Sequence, residues 1–129
     1  MISRRWLVLG ATGAAAGAAA LSARRVRRVV VSGPSMRPTL EAGDRLVVVR
    51  DRLPRPGELA AVRDPRNARR VIVKRVIALH GRGRHLVLRG DNAEASVDSR
   101  HFGPVERGAL QGRVVYRYFP PERRGRLHV

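Results

Sequence analysis

The stretch that decides the fold occupies residues 71–79 and reads VIVKRVIAL. In a β-strand, alternation places Ile72, Lys74 and Val76 on one face and the intervening residues on the other. Both faces are then apolar around two adjacent cations. The run is rich in β-branched residues and has no glycine or proline, so we predict a strand here.

Other short apolar runs lie between turn signals rich in glycine, proline, aspartate and asparagine. No long amphipathic helix is predicted after residue 28. The pattern predicts a mostly β fold, a small antiparallel barrel or sandwich that follows an N-terminal apolar helix. The further candidate strands are 27–32, 45–50, 58–63, 85–89 and 113–118.

The chain divides into three parts, with an N-terminal basic and apolar segment at 1–28, a β core at 29–120 and a basic tail at 121–129. Residues 6–23 carry no charge, and as a helix they would span about 27 Å, at the short end for crossing a bilayer. We predict a single membrane anchor. A cleavable export signal and a soluble alanine-rich helix are the alternatives, and residues 3–7 resemble the start of a twin-arginine signal.

The orientation of this anchor stays open. We expect a single-pass membrane protein with its catalytic domain on the extracytoplasmic side. Arg4 and Arg5 precede the apolar segment, whereas four arginines follow it within residues 24–28. By the positive-inside rule this count favours the cytoplasmic side for the rest of the chain.

The overall composition excludes several kinds of chemistry. The net charge is +17 and the pI is about 12, which favours polyanions such as nucleic acid or an anionic membrane without naming a function. The absence of cysteine excludes disulfides, thiolate metal sites and thiol nucleophiles. The four histidines lack metal-ligand spacing, and the five aromatic residues are too few for nucleic-acid stacking platforms.

Lys74 is the single lysine among 27 basic residues. If the strand buries it, lost hydration disfavours the ammonium form and lowers the pKa of Lys74. A neutral amine can take a proton from a serine hydroxyl, which a guanidinium cannot do because it keeps its own proton. The alternative is a lysine whose stem packs while its ammonium reaches water.

Two loops offer further polar groups. Residues 32–40 contain two prolines and a glycine and could present the Ser35 hydroxyl, although an ordinary turn explains the same composition. Residues 90–92, Gly-Asp-Asn, predict a tight turn, and Asp98 and Arg100 could pair beyond it. A plain polar loop is the alternative for this second segment.

Taken together, these stretches resemble the signal peptidase I family of serine–lysine proteases, from about residue 29 to 118. SMRPTL at 35–40 is similar to the family's nucleophile box, and GDRLVVV at 43–49 to the strand that follows it. KRV at 74–76 is similar to the general-base box. GDN at 90–92 and SVDSRHFGP at 96–104 are similar to the last box.

The resemblance implies a role for each matching residue. Ser35 would attack the scissile carbonyl, and Lys74 would accept its proton and later activate the deacylating water. Ser96 would hydrogen-bond the lysine amine, and a salt bridge between Asp98 and Arg100 would support the loop.

The resemblance leaves the second oxyanion donor open. The Ser35 backbone N–H would be one donor. Gly33 stands where some family members have a serine, so a backbone N–H or the Ser32 hydroxyl could be the second.

Three apolar residues, Met36, Leu40 and Val73, flank the two catalytic candidates. By resemblance they would line pockets for alanine-sized side chains at the first and third positions before the cut. Plain core packing explains each of them equally well. The resemblance implies no cofactor and no metal.

We therefore expect a serine endopeptidase that removes leader or signal peptides after small residues, acting on a precursor polypeptide beside membrane lipid. No specific nucleic acid is expected. Fifteen residues separate Lys74 from Gly90, too few for the extra β domain of some family members. This compactness, and VRDPR at 62–66, are similar to the proteases that mature nickel-type superoxide dismutase, which gives an alternative client.

Two other classes of protein share some of these features. A non-enzymatic basic protein that binds anionic lipid or nucleic acid stays as an alternative. A self-cleaving repressor would need an N-terminal helix-turn-helix, and residues 1–28 are too short and apolar for one.

Overall fold

The computed structural model describes residues 25–127. The apolar segment at 6–23 and the predicted N-terminal helix lie outside the described residues. A one-turn α-helix, α1, spans Ser99–Phe102, and single 3-10 turns lie at Ala93–Ala95, Arg107–Ala109 and Pro121–Arg123. The strands are β1 Val26–Val30, β2 Arg45–Val49, β3 Leu59–Asp64, β4 Asn67–His80, β5 His85–Arg89, β6 Val105–Glu106, β7 Leu110–Phe119 and β8 Gly125–Arg126.

The strands form one antiparallel sheet in the order β1-β2-β7-β3-β4-β5-β6, with β8 paired to β7. Every pairing between neighbouring strands is antiparallel. The prediction of a mostly β, antiparallel fold is therefore confirmed. The six predicted strands correspond to β1, β2, β3, β4, β5 and β7, whereas the two-residue strands β6 and β8 were not predicted.

β3 and β4 lie at the centre and pack on both faces. Ala61 and Val73 belong to a core cluster shared with β1, β2 and the loop that follows β1. Ala60, Val62 and Ile72 belong to a second cluster shared with β5 and β6. Because successive side chains of a strand point to opposite faces, two cores explain why residues 71–79 are apolar on both sides.

β4 begins four residues before the predicted strand, at a tight turn after β3. Asp64 is 3% exposed and accepts hydrogen bonds from the backbone and side chain of Arg66, with the backbone bond at 2.9 Å. Its backbone pairs with Asn67 across the turn. The hairpin thus extends β4 through polar residues that carry no apolar pattern.

The C-terminal residues are attached to the sheet. β8 pairs with β7, Leu127 packs against the first core cluster, and Arg123 pairs with the buried Asp44. Within residues 25–127, no helix is both long and apolar enough to cross a bilayer.

Candidate active site

Ser35 lies in the loop Ser32–Leu40, which joins β1 to β2 and is called here the Ser35 loop. Gly33 has φ +84°, in the left-handed region that favours glycine, so a serine at this position would be strained. Met36 and Leu40 anchor the loop because both are fully buried in the first core cluster. Ser35 itself is half-buried.

Ser35 and Lys74 line the same cavity, which has a volume of about 200 Å³. One wall is formed by the end of β1 and the start of the Ser35 loop, including Ser32 and Gly33. The facing wall is formed by β4 up to Lys74. The cavity is the right size for a few small side chains and brings the hydroxyl and amine candidates to one place.

Lys74 is buried at 4% exposure, and its Nζ donates to Ser96 Oγ at 3.1 Å. Burial lowers the pKa of Lys74 below its ordinary value of 10.5 because the ammonium loses hydration. The negative charge of Asp98 opposes this shift, whereas the nearby positive charges of Arg66 and Arg70 add to it. Lys74 therefore becomes neutral at a lower pH than a lysine exposed to water.

Ser96 connects the lysine to a buried carboxylate. Its hydroxyl donates to Asp98 Oδ2 at 2.8 Å, and the Gly90 N–H donates to the same oxygen at 3.0 Å. Arg100 donates from Nε to Asp98 Oδ1 at 2.9 Å and from Nη2 to Oδ2 at 3.1 Å. Burial alone raises the pKa of Asp98, but the bonds from Arg100, Gly90 and Ser96 outweigh it, so the carboxylate stays ionised.

Asp98 also begins α1. Its side chain accepts from the Arg100 N–H at 3.1 Å, and the His101 ring Nδ1 accepts from the Asp98 N–H at 3.3 Å, which completes a capping box. One fully buried carboxylate therefore fixes both the helix start and the Ser96 hydroxyl.

The segment Gly90–Asn92 holds the Ser35 loop from the other side. The Asn92 backbone N–H donates to the Ser35 carbonyl oxygen at 2.9 Å, and the Asn92 side-chain amide donates to the Pro34 carbonyl oxygen at 3.1 Å. Asp91 accepts from the Thr39 hydroxyl. Both ends of the Ser35 loop are thus bonded to one short turn.

Arg75 secures that turn to β4. Its guanidinium donates to Asp91 through Nε at 2.8 Å and Nη2 at 2.7 Å, and to the Gly57 carbonyl oxygen through Nη1 at 2.6 Å. A two-point contact between guanidinium and carboxylate fixes orientation as well as distance. Lys74 and Arg75 point to opposite faces of β4. Lys74 faces the cavity, whereas Arg75 holds the turn that supports the Ser35 loop.

Gly90 lies where the two loops touch. A side-chain carbon added here would lie 2.5 Å from Ser96 Cβ and 2.6 Å from the Ser35 carbonyl oxygen, far inside ordinary contact. Only glycine leaves room for Ser96 and Ser35 to approach each other.

A model of the family described as signal peptidase, peptidase S26, matches residues 3–83 and 82–119. The chain belongs to this family. The resemblance inferred from the four sequence boxes is therefore confirmed, and the molecule is a peptidase of the S26 type.

Several relatives of this peptidase are subunits of mitochondrial inner membrane proteases. ATP-independent subunit 1a of Arabidopsis thaliana is 35% identical, over 75% of this chain and 73% of the relative. Subunit 1 of Mus musculus is 32% identical, over 71% of this chain and 69% of its own length. Subunit 2 of Mus musculus is 34% identical, over 75% and 69%.

The structure brings five of the predicted site residues together in this peptidase, namely Ser35, Lys74, Ser96, Asp98 and Arg100. Among the three predicted pocket residues, Met36 and Val73 line the cavity and also belong to the first core cluster. Leu40 is fully buried in that cluster.

The sequence alone does not predict the bracing role of Thr39, Arg75, Asp91 and Asn92. Their signal was their position inside the matched boxes, because Arg75 follows Lys74 and Asp91 follows Gly90. Arg66 and Arg70, which also line the cavity, were missed as well. Alternation from Lys74 could not have located Arg70, because the pairing of β4 with β3 is irregular between Asn67 and Val71.

Proposed function

We propose that the chain is a serine endopeptidase that removes leader peptides by cleavage after small residues, with Ser35 as nucleophile and Lys74 as general base. One observation carries the proposal. Ser35 and a buried lysine share one cavity, and the lysine amine donates to a serine whose own hydroxyl proton is committed to a carboxylate.

The hydrogen-bond direction supports the role of the lysine. A general base must keep its nitrogen lone pair free for the incoming proton. Because Ser96 donates to Asp98, its oxygen can only accept from Lys74 and cannot occupy that lone pair. Asp98 thereby acts as a positioning residue, and Arg100 holds Asp98 in turn.

The chemical steps follow from this arrangement. The Ser35 oxygen bonds to the scissile carbonyl carbon while its proton passes to the Lys74 amine. The Ser35 backbone N–H stabilises the oxyanion. The carbon–nitrogen bond then breaks, and Lys74 returns the proton to the leaving amine. A water molecule, deprotonated by Lys74, hydrolyses the ester and restores Ser35.

Substrate binding is supported by the open edge of β4. β5 pairs with β4 only from Arg75 onward, so the backbone edge before it faces the cavity. An extended leader can add to this edge as a strand, with small side chains directed toward Met36 and Val73.

The test uses a purified full-length protein and a precursor with an Ala-x-Ala site. The parent is compared with Ser35→Ala, Lys74→Arg and the control Arg84→Ala, an exposed position in the turn between β4 and β5. We expect cleavage by the parent and the control only. Cleavage by both active-site variants at the parent rate would reject the proposal.

The same assay separates the alternative readings. A precursor of nickel-type superoxide dismutase, tested beside the general precursor, identifies a client-specific maturation protease if it alone is cleaved. A non-enzymatic basic protein would cleave neither and would bind anionic lipid or nucleic acid with steep salt dependence, independently of Ser35.

We also propose a three-part layout with residues 1–28 as the anchor segment, 29–120 as the catalytic core and 121–129 as a basic tail. The relatives are named as inner membrane proteases, which supports membrane association. We place the catalytic core on the extracytoplasmic side. Carbonate extraction tests the anchor, and protease accessibility of sealed vesicles from each side tests the orientation.

A further inference from the structure

Two arginines line the catalytic cavity away from Ser35 and Lys74. Arg66 lies in the turn between β3 and β4, and Arg70 lies in the first half of β4. Both side chains are exposed. The proton transfers proposed above use neither of them, so their presence in the cavity needs a separate explanation.

Arg70 and Lys74 line the same cavity and lie four positions apart on β4, with Ile72 between them. Regular pairing with β3 begins at Val71, so the shared cavity and not strict alternation relates the two residues. At about 3.3 Å per residue, four residues of strand span at most about 13 Å.

The two arginines differ in their ion pairing. Arg66 is held by Asp64 through two side-chain bonds of 3.1 Å. Among residues 25–127, no carboxylate pairs with the Arg70 guanidinium. The charge of Arg70 also acts on Asp64, so one carboxylate faces two arginines and the cavity wall keeps a net positive charge.

An extended substrate would run directly past this charge. The edge of β4 before Arg75 faces the cavity opposite the end of β1. A peptide lying along that edge advances by about the same distance per residue as β4 does. The side chain beside Arg70 is therefore about four residues from the bond at Ser35.

We propose that Arg70, with Arg66 beside it, forms a cationic subsite that selects precursors carrying an aspartate or glutamate about four residues from the scissile bond. This inference rests on the proposed function, because it concerns the substrate of the same site. An exposed contact between guanidinium and carboxylate would change kcat/KM about two- to fivefold, mainly through KM. The preference would weaken at high salt.

The experiment uses the full chain and peptides that share one Ala-x-Ala site. One set carries Glu, Gln or Lys at the fourth residue before the cut, and a second set carries them at the fourth residue after it. The enzymes are the parent, Arg70→Gln and Arg70→Glu. The matched controls are Arg69→Gln and Arg69→Glu, because Arg69 is an exposed neighbour that does not line the cavity. Thermal melting verifies that each variant is folded.

We expect the parent to prefer Glu over Gln in one of the two sets, and that set identifies whether the leader or the mature segment lies beside Arg70. Arg70→Gln should abolish the preference, and Arg70→Glu should reverse it in favour of Lys. The Arg69 variants should keep the parent's order. The result for each enzyme is the ratio of its cleavage rates on the paired peptides. A substitution that alters Lys74 changes both rates equally and leaves this ratio unchanged.

Two outcomes would overturn the inference. Equal cleavage of all peptides by the parent would show that no charged subsite exists. If Arg70→Glu still prefers Glu, a residue other than Arg70 causes the preference. Either result leaves the serine–lysine proposal intact, since that proposal fails only if cleavage persists in Ser35→Ala and Lys74→Arg.

Discussion

Replacement of Gly90 by alanine tests the contact between the two loops of the site. The backbone at Gly90 lies outside the left-handed region, so only side-chain space excludes alanine. The new carbon would lie 2.5 Å from Ser96 Cβ, whereas carbon atoms in ordinary contact are about 3.5–4.0 Å apart. Ser96, the Ser35 backbone or both must therefore retreat by about 1 Å.

The displacement should affect activity more than stability. A 1 Å shift would stretch the 3.1 Å bond between Lys74 Nζ and Ser96 Oγ beyond hydrogen-bond reach. Misplacement of this size costs on the order of 100-fold in rate. Overpacking should lower the free energy of unfolding by about 1–3 kcal/mol. We would measure kcat/KM on the Ala-x-Ala precursor and the unfolding free energy in urea.

Gly108→Ala is the matched control. An added carbon at Gly108 meets no atom of the described residues within 4 Å, and its φ is not in the left-handed region. The control should match the parent in kcat/KM and lie within about 0.5 kcal/mol in stability. A folded Gly90→Ala protein with the parent's kcat/KM would refute the argument that this contact positions the lysine.

The remaining predictions concern three carboxylates. Asp98 raises the pKa of Lys74, so Asp98→Asn should lower that pKa and move the rising limb of the kcat/KM–pH profile to lower pH, at reduced activity; a limb that moves to higher pH would contradict this. Asp44 is fully buried against Arg117 and Arg123, and Asp44→Asn should lower the unfolding free energy in urea by about 2–3 kcal/mol; an unchanged urea midpoint would argue against it. Hydrogen bonds, chiefly from Arg52, lower the pKa of Glu58 from 4.5 to about 2, so the Glu58 contribution to stability is present above pH 4.5 and lost as pH falls through 2. Thermal melting between pH 6 and pH 2 should therefore be less pH-dependent for Glu58→Gln than for the parent, and equal slopes would contradict the assignment.

The strands whose bounds are predicted well are those that an apolar run and its flanking turn residues define by themselves. β5 was predicted at 85–89 and spans His85–Arg89, because a short apolar run lies between two glycine turns. The start of β4 was missed because residues 67–70 are polar or small; only Asn67 among them pairs with β3, and the register shifts between Asn67 and Val71. β6 and β8 have two residues each and exist only where a partner strand is available.

The site likewise has features that the local sequence predicts and features that depend on contacts between distant segments. The residue types alone indicate a lysine that must lose its proton, a serine in a rigid loop and a carboxylate near an arginine. They could not reveal that Asp98 accepts from Ser96, which decides the direction of the bond to Lys74. Hydrogen-bond direction depends on which groups meet in space, and these residues lie up to 24 positions apart.

The sequence by itself determined the β class, the order of the boxes and the family, because alternation and short motifs are local properties of the chain. Only the tertiary structure decided how the loops support one another. Arg75 and Asn92 brace the Ser35 loop, Gly90 lets Ser96 approach it, and Arg70 lines the cavity that holds the lysine. The physical reason is that bracing, close approach and shared cavities depend on distances between segments, and those distances are set only when the sheet brings the segments together.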